Sequence, residues 1–363
     1  MTSWIRRLAF GVWRLAFGAG GEPNAEKRTP NAAVKRLALV VVLIAAVVAP
    51  QVVSPFYLDV LLQIMIFGLF AMSMDMLIGY TGLVTLGHAG IYGVAAYVIA
   101  YTASQQHWDA ALAIPAALGG ALLTSVVFGV LAIRTSGVYF LLVTLAEGMV
   151  VWGVAYRWAS VTGAENGIGG FHRPALVSQP VPFYYAVLVV LLICSLLMYR
   201  VVRSPFGLTL QGIRENQLRM RTLGYNILLH KFLIFVIAGL FAGVAGILFA
   251  YYNQFMSPNT VNLAQSVQGL LMVILGGPGT LFGAVLGSAV VVGIQNVVSL
   301  YTERWITVMG IIFVLTVLLA RKGLIGRFGD LAGLIARTRA RPAPTVPEKP
   351  DVGYEADVLQ QRR

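Results

Sequence analysis

The sequence has few charged residues and a single cysteine. Asp, Glu, Lys and Arg make up 11% of its 363 residues, whereas soluble domains carry roughly 25%. Hydrophobic residues make up 58% and the mean hydropathy is +0.80, which is more apolar surface than a soluble core can hide. Cys194 has no second cysteine to pair with, so an internal disulfide is excluded and an inert, buried thiol is expected. The composition therefore predicts an integral membrane protein.

The sequence also lacks the short motifs of common enzymes and nucleotide-binding proteins. It contains no GxSxG, HExxH or Walker A stretch. No two of its four histidines have a metal-ligand spacing such as i, i+4; they are His88, His107, His172 and His230. We therefore expect no enzyme, no metal, no cofactor and no ATP binding by this chain itself.

The positive charge of the chain is concentrated between its apolar stretches. The net charge of +12 suggests nucleic acid as a partner, but its placement follows the positive-inside pattern of multispanning proteins instead. All but three of the 26 Lys and Arg residues lie in four segments: 1–36, 134–136, 200–231 and 321–363. The three exceptions are Arg157, Arg173 and Arg304. The four basic segments are predicted to be cytoplasmic, and so are both termini.

Ten apolar stretches predict an all-α, polytopic membrane protein with about ten transmembrane helices. Their approximate bounds are 37–49, 57–78, 83–103, 110–133, 137–157, 183–202, 229–251, 263–276, 280–301 and 304–320. A full span needs about 20 residues, so the stretch 263–276, which carries Gln265 and Gln268, is short and polar. It is predicted to be a partial or re-entrant helix buried among the others.

The segments outside the apolar stretches complete the predicted organisation. Residues 1–36 form a basic cytoplasmic arm, with an amphipathic helix at the membrane surface as the alternative. Residues 37–328 form the transmembrane domain. Residues 329–363 form a cytoplasmic tail, rich in proline and charge and predicted to be disordered. The outer loop 158–182 is long enough to serve in docking or gating.

Several polar side chains within the apolar stretches are candidates for a translocation path. Asp75 and Glu147 qualify because ionisable groups are costly in lipid. In the glycine-rich stretch 79–101, "GYTGLVTLGHAGIYGVAAYVIAY", Thr81, Thr85 and His88 follow helical spacing and predict one small, polar helix face. Hydrogen bonds that only pack helices together explain all five residues equally well.

The cytoplasmic stretch 203–231 is basic and amphipathic. We expect a break at 205–207, a helix from Leu208 and a second break at Gly224. The apolar contacts of this helix are expected from Leu210, Ile213, Leu218 and Leu223, and its charges from Arg214, Glu215, Arg219 and Arg221. A further break is predicted at "GGPG", 276–279, before the next span.

Three sequence stretches, in this order, resemble the membrane subunit of branched-chain amino acid ABC importers of the LivM type. They are "GYTGLVTLGHAGIYGVAAY", then "RSPFGLTLQGIRENQLRMRTLGYNILLHKFLIFVIAGLFAGVAGILFA", then "GGPGTLFGAVLGSAV" followed by "YTERW" and "ARKGLIG". The likeness covers about residues 37–328. It implies a bacterial inner-membrane permease, in contact with membrane lipid and not with nucleic acid.

The resemblance also implies partners and a substrate class. The partners are a second, homologous permease subunit, two cytoplasmic ATP-binding subunits that bind the ATP, and a periplasmic solute-binding protein. The solute is an amino acid, commonly Leu, Ile or Val, whereas relatives carry other amino acids, urea, amides or aromatic acids.

In this family the loop equivalent to 203–228 couples the permease to the ATP-binding subunits. The coupling residues that the resemblance implies are Arg214, Glu215, Asn216, Arg219 and Gly224. The general importer motif, Glu-Ala-Ala three residues before a glycine, is replaced here by Leu218, Arg219 and Met220.

Two other functions remain open from the sequence. An ion-coupled secondary transporter would require intramembrane carboxylates such as Asp75 and Glu147. A membrane enzyme would use His88, which has no partner acid in the sequence pattern.

Overall fold

The structure is a computed structural model that describes residues 44–301, 307, 308, 310, 311 and 314. The chain divides into two compact units, Met1–Leu58 and Asp59–Arg363. In the first unit, residues 44–52 are helical and the next helix begins at Pro55. The described part of the second unit is mostly helical. The α-helices are α1 (Pro55–Thr81), α2 (His88–Ser104), α3 (Ala110–Ala132), α4 (Val138–Arg157), α5 (Ala159–Thr162), α6 (Pro180–Arg203), α7 (Pro205–Glu215), α8 (Gln217–Thr222), α9 (Ile227–Asn253), α10 (Leu263–Gly276) and α11 (Phe282–Tyr301).

Six of these helices are long and apolar enough to cross a membrane: α1, α3, α4, α6, α9 and α11. The predicted short helix 263–276 is confirmed by α10, which has 14 residues. The predicted count of about ten spans is not confirmed. The stretch 37–49 is described only from residue 44, and 304–320 lies outside the described residues at all but five positions.

Two strands and three 3-10 turns depart from the all-α expectation. The strands are β1 (Ile168–Gly169) and β2 (Phe255–Met256), paired antiparallel with Ile168 opposite Met256. The 3-10 turns are Ala164–Asn166, Ala175–Val177 and Pro258–Val261. The strand pair ties the loop before α6 to the segment after α9, so the loop 158–182 is held by backbone bonds.

Arg173 in the same loop covers the end of α9. Its Nε donates to the carbonyl of Tyr251 at 3.0 Å and its Nη2 to that of Tyr252 at 3.2 Å. The last carbonyls of a helix have no partner within the helix and carry partial negative charge. The guanidinium of Arg173 donates hydrogen bonds to these carbonyls and places a positive charge beside them. It also lies 4.3 Å from the ring centre of Phe183. This contact anchors the loop to α9 and to the start of α6.

Helices α2, α3 and α9 pack against one another in the interior of the second unit. Two glycines of α9 make the close crossings possible. A Cβ atom on Gly243 would collide with the side chain of Ala121 in α3, and one on Gly246 would collide with the backbone carbonyl of Tyr92 in α2. Small residues at such crossings allow the backbone-to-backbone approach by which helices associate in membranes.

The stretch 203–231 differs from its prediction in where it breaks. The predicted break at 205–207 is wrong, because Pro205 is the first residue of α7 and the Ser204 hydroxyl accepts from the Gly207 N–H at 3.3 Å. Proline suits the first helical position since its missing N–H would have no partner there. The expected continuous helix is instead broken at Asn216, whose side chain caps α8 by accepting from the Arg219 N–H at 3.0 Å.

The break expected at Gly224 is confirmed. This glycine has a φ of +86°, and the N–H of Tyr225 donates to the carbonyl of Met220 at 3.2 Å. A left-handed glycine with a backward bond of this kind is the common way to end a helix. The segment is therefore two short helices joined at a corner.

Replacing Gly246 tests the crossing of α2 and α9. We expect Gly246→Ala to lower the free energy of unfolding by about 1–3 kcal/mol, because the added methyl has only backbone to displace. The matched control is Gly119→Ala in α3, where a Cβ meets nothing within 4 Å. Thermal unfolding of the detergent-purified variants checks this, and equal stability of both variants would contradict it.

Candidate functional site

Three segments meet at one end of the second unit, and we call this meeting point the junction, defined by Asp75, Gly79, Arg214 and Gly279. The carboxylate Oδ1 of Asp75 accepts from the N–H of Gly279 at 2.7 Å. The Nη1 of Arg214 donates to the carbonyl of Gly79. A Cβ on Gly79 would collide with the backbone of Gly279. The last turns of α1, the end of α7 and the turn before α11 are thus in direct contact.

The junction borders an open cleft of about 400 Å³. Its lining comes from the same three segments and consists of Gly79, Tyr80, Gln211, Arg214, Glu215, Pro278 and Gly279. Asp75 itself is 1% exposed, and its Oδ2 has no hydrogen-bond partner within the described part of the chain. The Asp75 carboxylate therefore contacts the turn at Gly279 from the protein interior. Arg214 contacts the end of α1 at Gly79 from the side of the cleft.

Of the other predicted coupling residues, Glu215 lines this cleft, and Asn216, Arg219 and Gly224 lie further along the chain on the surface. Glu215 and Arg219 are exposed, and Asn216 and Gly224 shape the backbone at either end of α8. Of the four expected apolar contacts, Leu210 and Ile213 are buried. The expectation is wrong for Leu218 and Leu223, which are 76% and 65% exposed. Because the chain turns at Asn216, α8 does not continue the buried face of α7.

The residues Thr81, Thr85 and His88 do not share one helix face, which corrects the sequence prediction. Residues 82–87 are not helical, and α2 begins at His88. Side-chain hydroxyls accept hydrogen bonds from backbone N–H groups that would have carbonyl partners in a continuous helix. The Thr144 hydroxyl accepts from the Leu86 N–H at 3.2 Å and the Thr85 hydroxyl from the Gly87 N–H at 3.2 Å. Such side-chain acceptors compete with helical bonds.

The same local bonding occupies the other polar groups near the break. The Thr81 hydroxyl donates to the carbonyl of Met76 at 3.2 Å. His88 is fully buried, with Nε2 2.9 Å from the hydroxyl of Ser73. The same hydroxyl lies 2.7 Å from the carbonyl of Phe70 and donates to it. The other ring nitrogen of His88, Nδ1, has no partner among the described residues.

Glu147 lies on the α4 face that contacts the break. Its neighbour Gly148 packs on Gly87, where a Cβ would come within 3.2 Å of the Gly87 Cα. Glu147 is 7% exposed, and neither carboxyl oxygen has a hydrogen-bond partner within residues 44–301. No group of three His, Cys, Asp or Glu residues in the described part of the chain could hold a metal ion.

Sequence reasoning missed a set of hydrogen-bonded amides at the far end of the helices from the junction. The Nε2 of Gln63 donates to the Tyr252 hydroxyl at 2.9 Å, and the Nδ2 of Asn296 donates to the Gln63 Oε1 at 3.3 Å. One residue away, the Oε1 of Gln295 accepts from the Nε2 of Gln268 at 2.7 Å. The only sequence signal was the polar character of 263–276, because the partner amides are scattered through otherwise apolar helices.

Removing the Asp75 carboxylate tests the junction. We expect Asp75→Leu to lower the free energy of unfolding by about 1–3 kcal/mol, since the Gly279 N–H loses its acceptor. Asp75→Asn retains a carbonyl oxygen at the same place and is expected to remain close to the parent. Thermal unfolding in detergent distinguishes the two variants, and equal losses in both would contradict the assigned bond.

Comparison with known proteins identifies the family to which the chain is similar. The family model described as "Branched-chain amino acid transport system / permease component" matches residues 56–320. The high-affinity branched-chain amino acid transport system permease protein LivM of Escherichia coli K12 is 28% identical over 318 residues, which cover 80% of this chain and 75% of that protein. LivM of Salmonella typhimurium is 27% identical over the same shares.

A more distant relative carries a different name. The autoinducer 2 import system permease protein LsrC of Klebsiella pneumoniae is 27% identical over 163 residues, which cover 43% of this chain and 45% of that protein. No solved structure matches the chain at a significant level. The family model covers well over half of the sequence, and its range includes the six long apolar helices except for Pro55, the first residue of α1. The chain is therefore a multi-pass membrane protein that belongs to the family of permease components of branched-chain amino acid transport systems.

Proposed function

We propose that this chain is the permease subunit of an ATP-driven importer that moves branched-chain amino acids across a bacterial inner membrane. Its partners in this proposal are a second, homologous permease, two ATP-binding subunits and a periplasmic binding protein. Family membership supports an ABC transporter assembly. The observation that carries the proposal is the junction, because it joins the short helix α7 to the ends of two long apolar helices.

The junction supplies a route for mechanical coupling. Helix α7 follows α6 after one residue and contacts α9. Arg214 fixes its end to the last turns of α1, and Asp75 fixes those turns to the segment that enters α11. A displacement of α7 and α8 by ATP-binding subunits would therefore shift α1 and α11 together. Such small shifts are amplified when packed helices have two alternative arrangements.

The surface of α8 is suited to receive that displacement. Leu218 and Leu223 are exposed apolar side chains, and the basic residues Arg219 and Arg221 stand between them on the same short helix. An apolar anchor with flanking charge is a common composition of protein–protein contacts. In the proposed topology this surface faces the cytoplasm, where the ATP-binding subunits lie.

Charge reversal and polar substitution on α8 test the coupling role. We expect Leu218→Asp and Arg219→Glu each to reduce co-purification of the ATP-binding subunits and solute uptake by about tenfold, the effect of losing roughly 1.4 kcal/mol. The matched control is Arg134→Glu, an exposed basic residue in another predicted cytoplasmic segment. Normal assembly and uptake in both α8 variants would remove α8 from the contact.

The substrate class rests on the names of the LivM relatives, and LsrC shows that similar permeases are named for a different solute. Uptake by vesicles that contain the full complex tests it. We expect isoleucine and valine to compete with radiolabelled leucine, whereas urea and benzoate do not compete. Competition by urea or benzoate alone would assign the chain to the urea or aromatic-acid branch.

Glu147 favours one second candidate, an ion-coupled transporter, because its buried carboxyl group has no partner among the described residues. If import is ATP-driven, we expect the Glu147→Gln variant to take up solute at about the parent level. We also expect omission of the ATP-binding subunits to abolish uptake by the parent. If import is ion-coupled, Glu147→Gln abolishes uptake, and omission of the ATP-binding subunits leaves uptake by the parent unchanged. Asp75→Asn serves as the control carboxylate, since its partner needs only an oxygen acceptor.

A further inference from the structure

A group of carboxamides lies in the half of the second unit away from the junction. We call it the amide cluster and define it as Gln63, Gln265, Gln268, Gln295 and Asn296. All five side chains are partly exposed, not sealed in the core. They come from α1, α10 and α11, and Gln63 also bonds the Tyr252 hydroxyl of α9. Four helices therefore meet around one set of uncharged polar groups.

The location makes partial exposure costly in lipid. Helices α1 and α11 have the length and hydropathy of membrane spans, and α10 packs along α11. An amide with unsatisfied groups costs several kcal/mol in hydrocarbon, so polar side chains at this depth face protein, water or a solute. Their partial exposure shows that the described part of the chain does not cover them completely.

The hydrogen-bonding capacity of the cluster is only partly used. Gln268 and Gln295 share one bond, which leaves one carbonyl oxygen and one NH2 group without a partner within residues 44–301. Exchange of oxygen and nitrogen in both amides leaves the same pair of unused groups. One turn away on the same face of α10, the Nε2 of Gln265 is buried and likewise has no partner in the described chain.

Bonds that only hold helices together do not account for these unused groups. Interhelical amide bonds in membranes arise because they satisfy the polar atoms of both partners. The bond from Asn296 to Gln63 fits that description, since Asn296 also donates to the carbonyl of Val292 at 2.9 Å. The α10 amides do not fit it, because the buried Nε2 of Gln265 has no partner in the described chain, and the partly exposed Gln268 uses only one of its two polar atoms.

We infer that the amide cluster is a contact site for the translocated solute, and that this solute is a small zwitterion. The inference rests on the proposed function and adds the residues and the recognition chemistry. The free NH2 group of the Gln268–Gln295 pair donates to the solute carboxylate, and the free carbonyl oxygen of the same pair accepts from its ammonium group.

Helices α10 and α11 contain no Asp, Glu, Lys or Arg. Two charged groups act on Tyr252, the partner of Gln63, and they are of opposite sign: Asp59 and Arg173. The surroundings of the cluster therefore carry no net charge, which favours a solute that is neutral overall.

Thiol accessibility tests the site in the assembled transporter. In a Cys194→Ser parent, which has no other cysteine, Gln268→Cys and Gln295→Cys are treated with a water-soluble methanethiosulfonate reagent. The control is Leu286→Cys, because Leu286 is an apolar residue of α11 with 54% exposure. We expect both test cysteines to react at least about tenfold faster than the control, since the thiolate forms only in contact with water. Saturating L-leucine is expected to slow both reactions.

The outcomes separate this inference from the proposed function. Leucine uptake by the Cys194→Ser parent is measured first, and absence of ATP-dependent uptake removes the proposed function and this inference with it. If uptake is normal but both test cysteines react no faster than Leu286→Cys, only this inference is overturned. The amides are then contacts between helices or subunits from which water is excluded. Fast labelling that leucine does not slow also overturns it, since the cluster is then wet but not a solute site.

A second variant keeps the test independent of cysteine chemistry. We expect Gln268→Leu to raise the leucine concentration for half-maximal uptake about tenfold, through the loss of one or two hydrogen bonds, with little change in the maximal rate. Ser299→Ala, at an exposed polar position near the same end of α11, is expected to leave both quantities unchanged. An unchanged half-saturation in Gln268→Leu, with normal maximal uptake, contradicts the assigned contact.

Discussion

Backbone polar groups inside a membrane-spanning bundle must find partners within the protein, since lipid offers none. The two interruptions of this bundle, at 82–87 and at 277–281, follow directly from that constraint. In the first, hydroxyl groups accept the N–H groups that the helix leaves free. In the second, the carboxylate of Asp75 accepts the N–H of Gly279. Polar side chains that looked like candidates for chemistry thus serve first to permit non-helical backbone.

The glycines act together with these polar contacts. Where a side chain replaces a helical bond, the segments must also approach closely, and Gly79 and Gly87 provide the space by lying directly against neighbouring backbone. Helices α2 and α9 cross closely at Gly246. The non-helical segment 82–87 leads directly into α2 and so adjoins this tightly packed crossing. A rigid three-helix interior beside interrupted segments suits a protein that must move a few elements while it retains its fold.

The sequence was sufficient for the features that depend on composition and local chemistry. Hydropathy located the apolar helices, polarity and length identified α10, and the left-handed preference of glycine predicted the break at Gly224 that follows α8. The failures arose where a local signal has two meanings. Pro205 predicts a break from the sequence although proline also begins helices. The spacing of Thr81, Thr85 and His88 matches a helix that tertiary hydrogen bonds prevent. Two bonds of the amide cluster join residues 189 and 233 positions apart, which no sequence window contains.

Both bonds of the junction run from a side chain to a glycine backbone atom: Arg214 to the Gly79 carbonyl and Asp75 to the Gly279 N–H. Their specificity therefore resides in only two side chains. The partner positions are constrained in size, and Gly279 is also constrained in backbone conformation by its φ of +84°. A sequence with very different spans can keep both contacts if it preserves one acid, one guanidinium and these two glycines. This gives a compact search pattern for related junctions in sequences that otherwise share little.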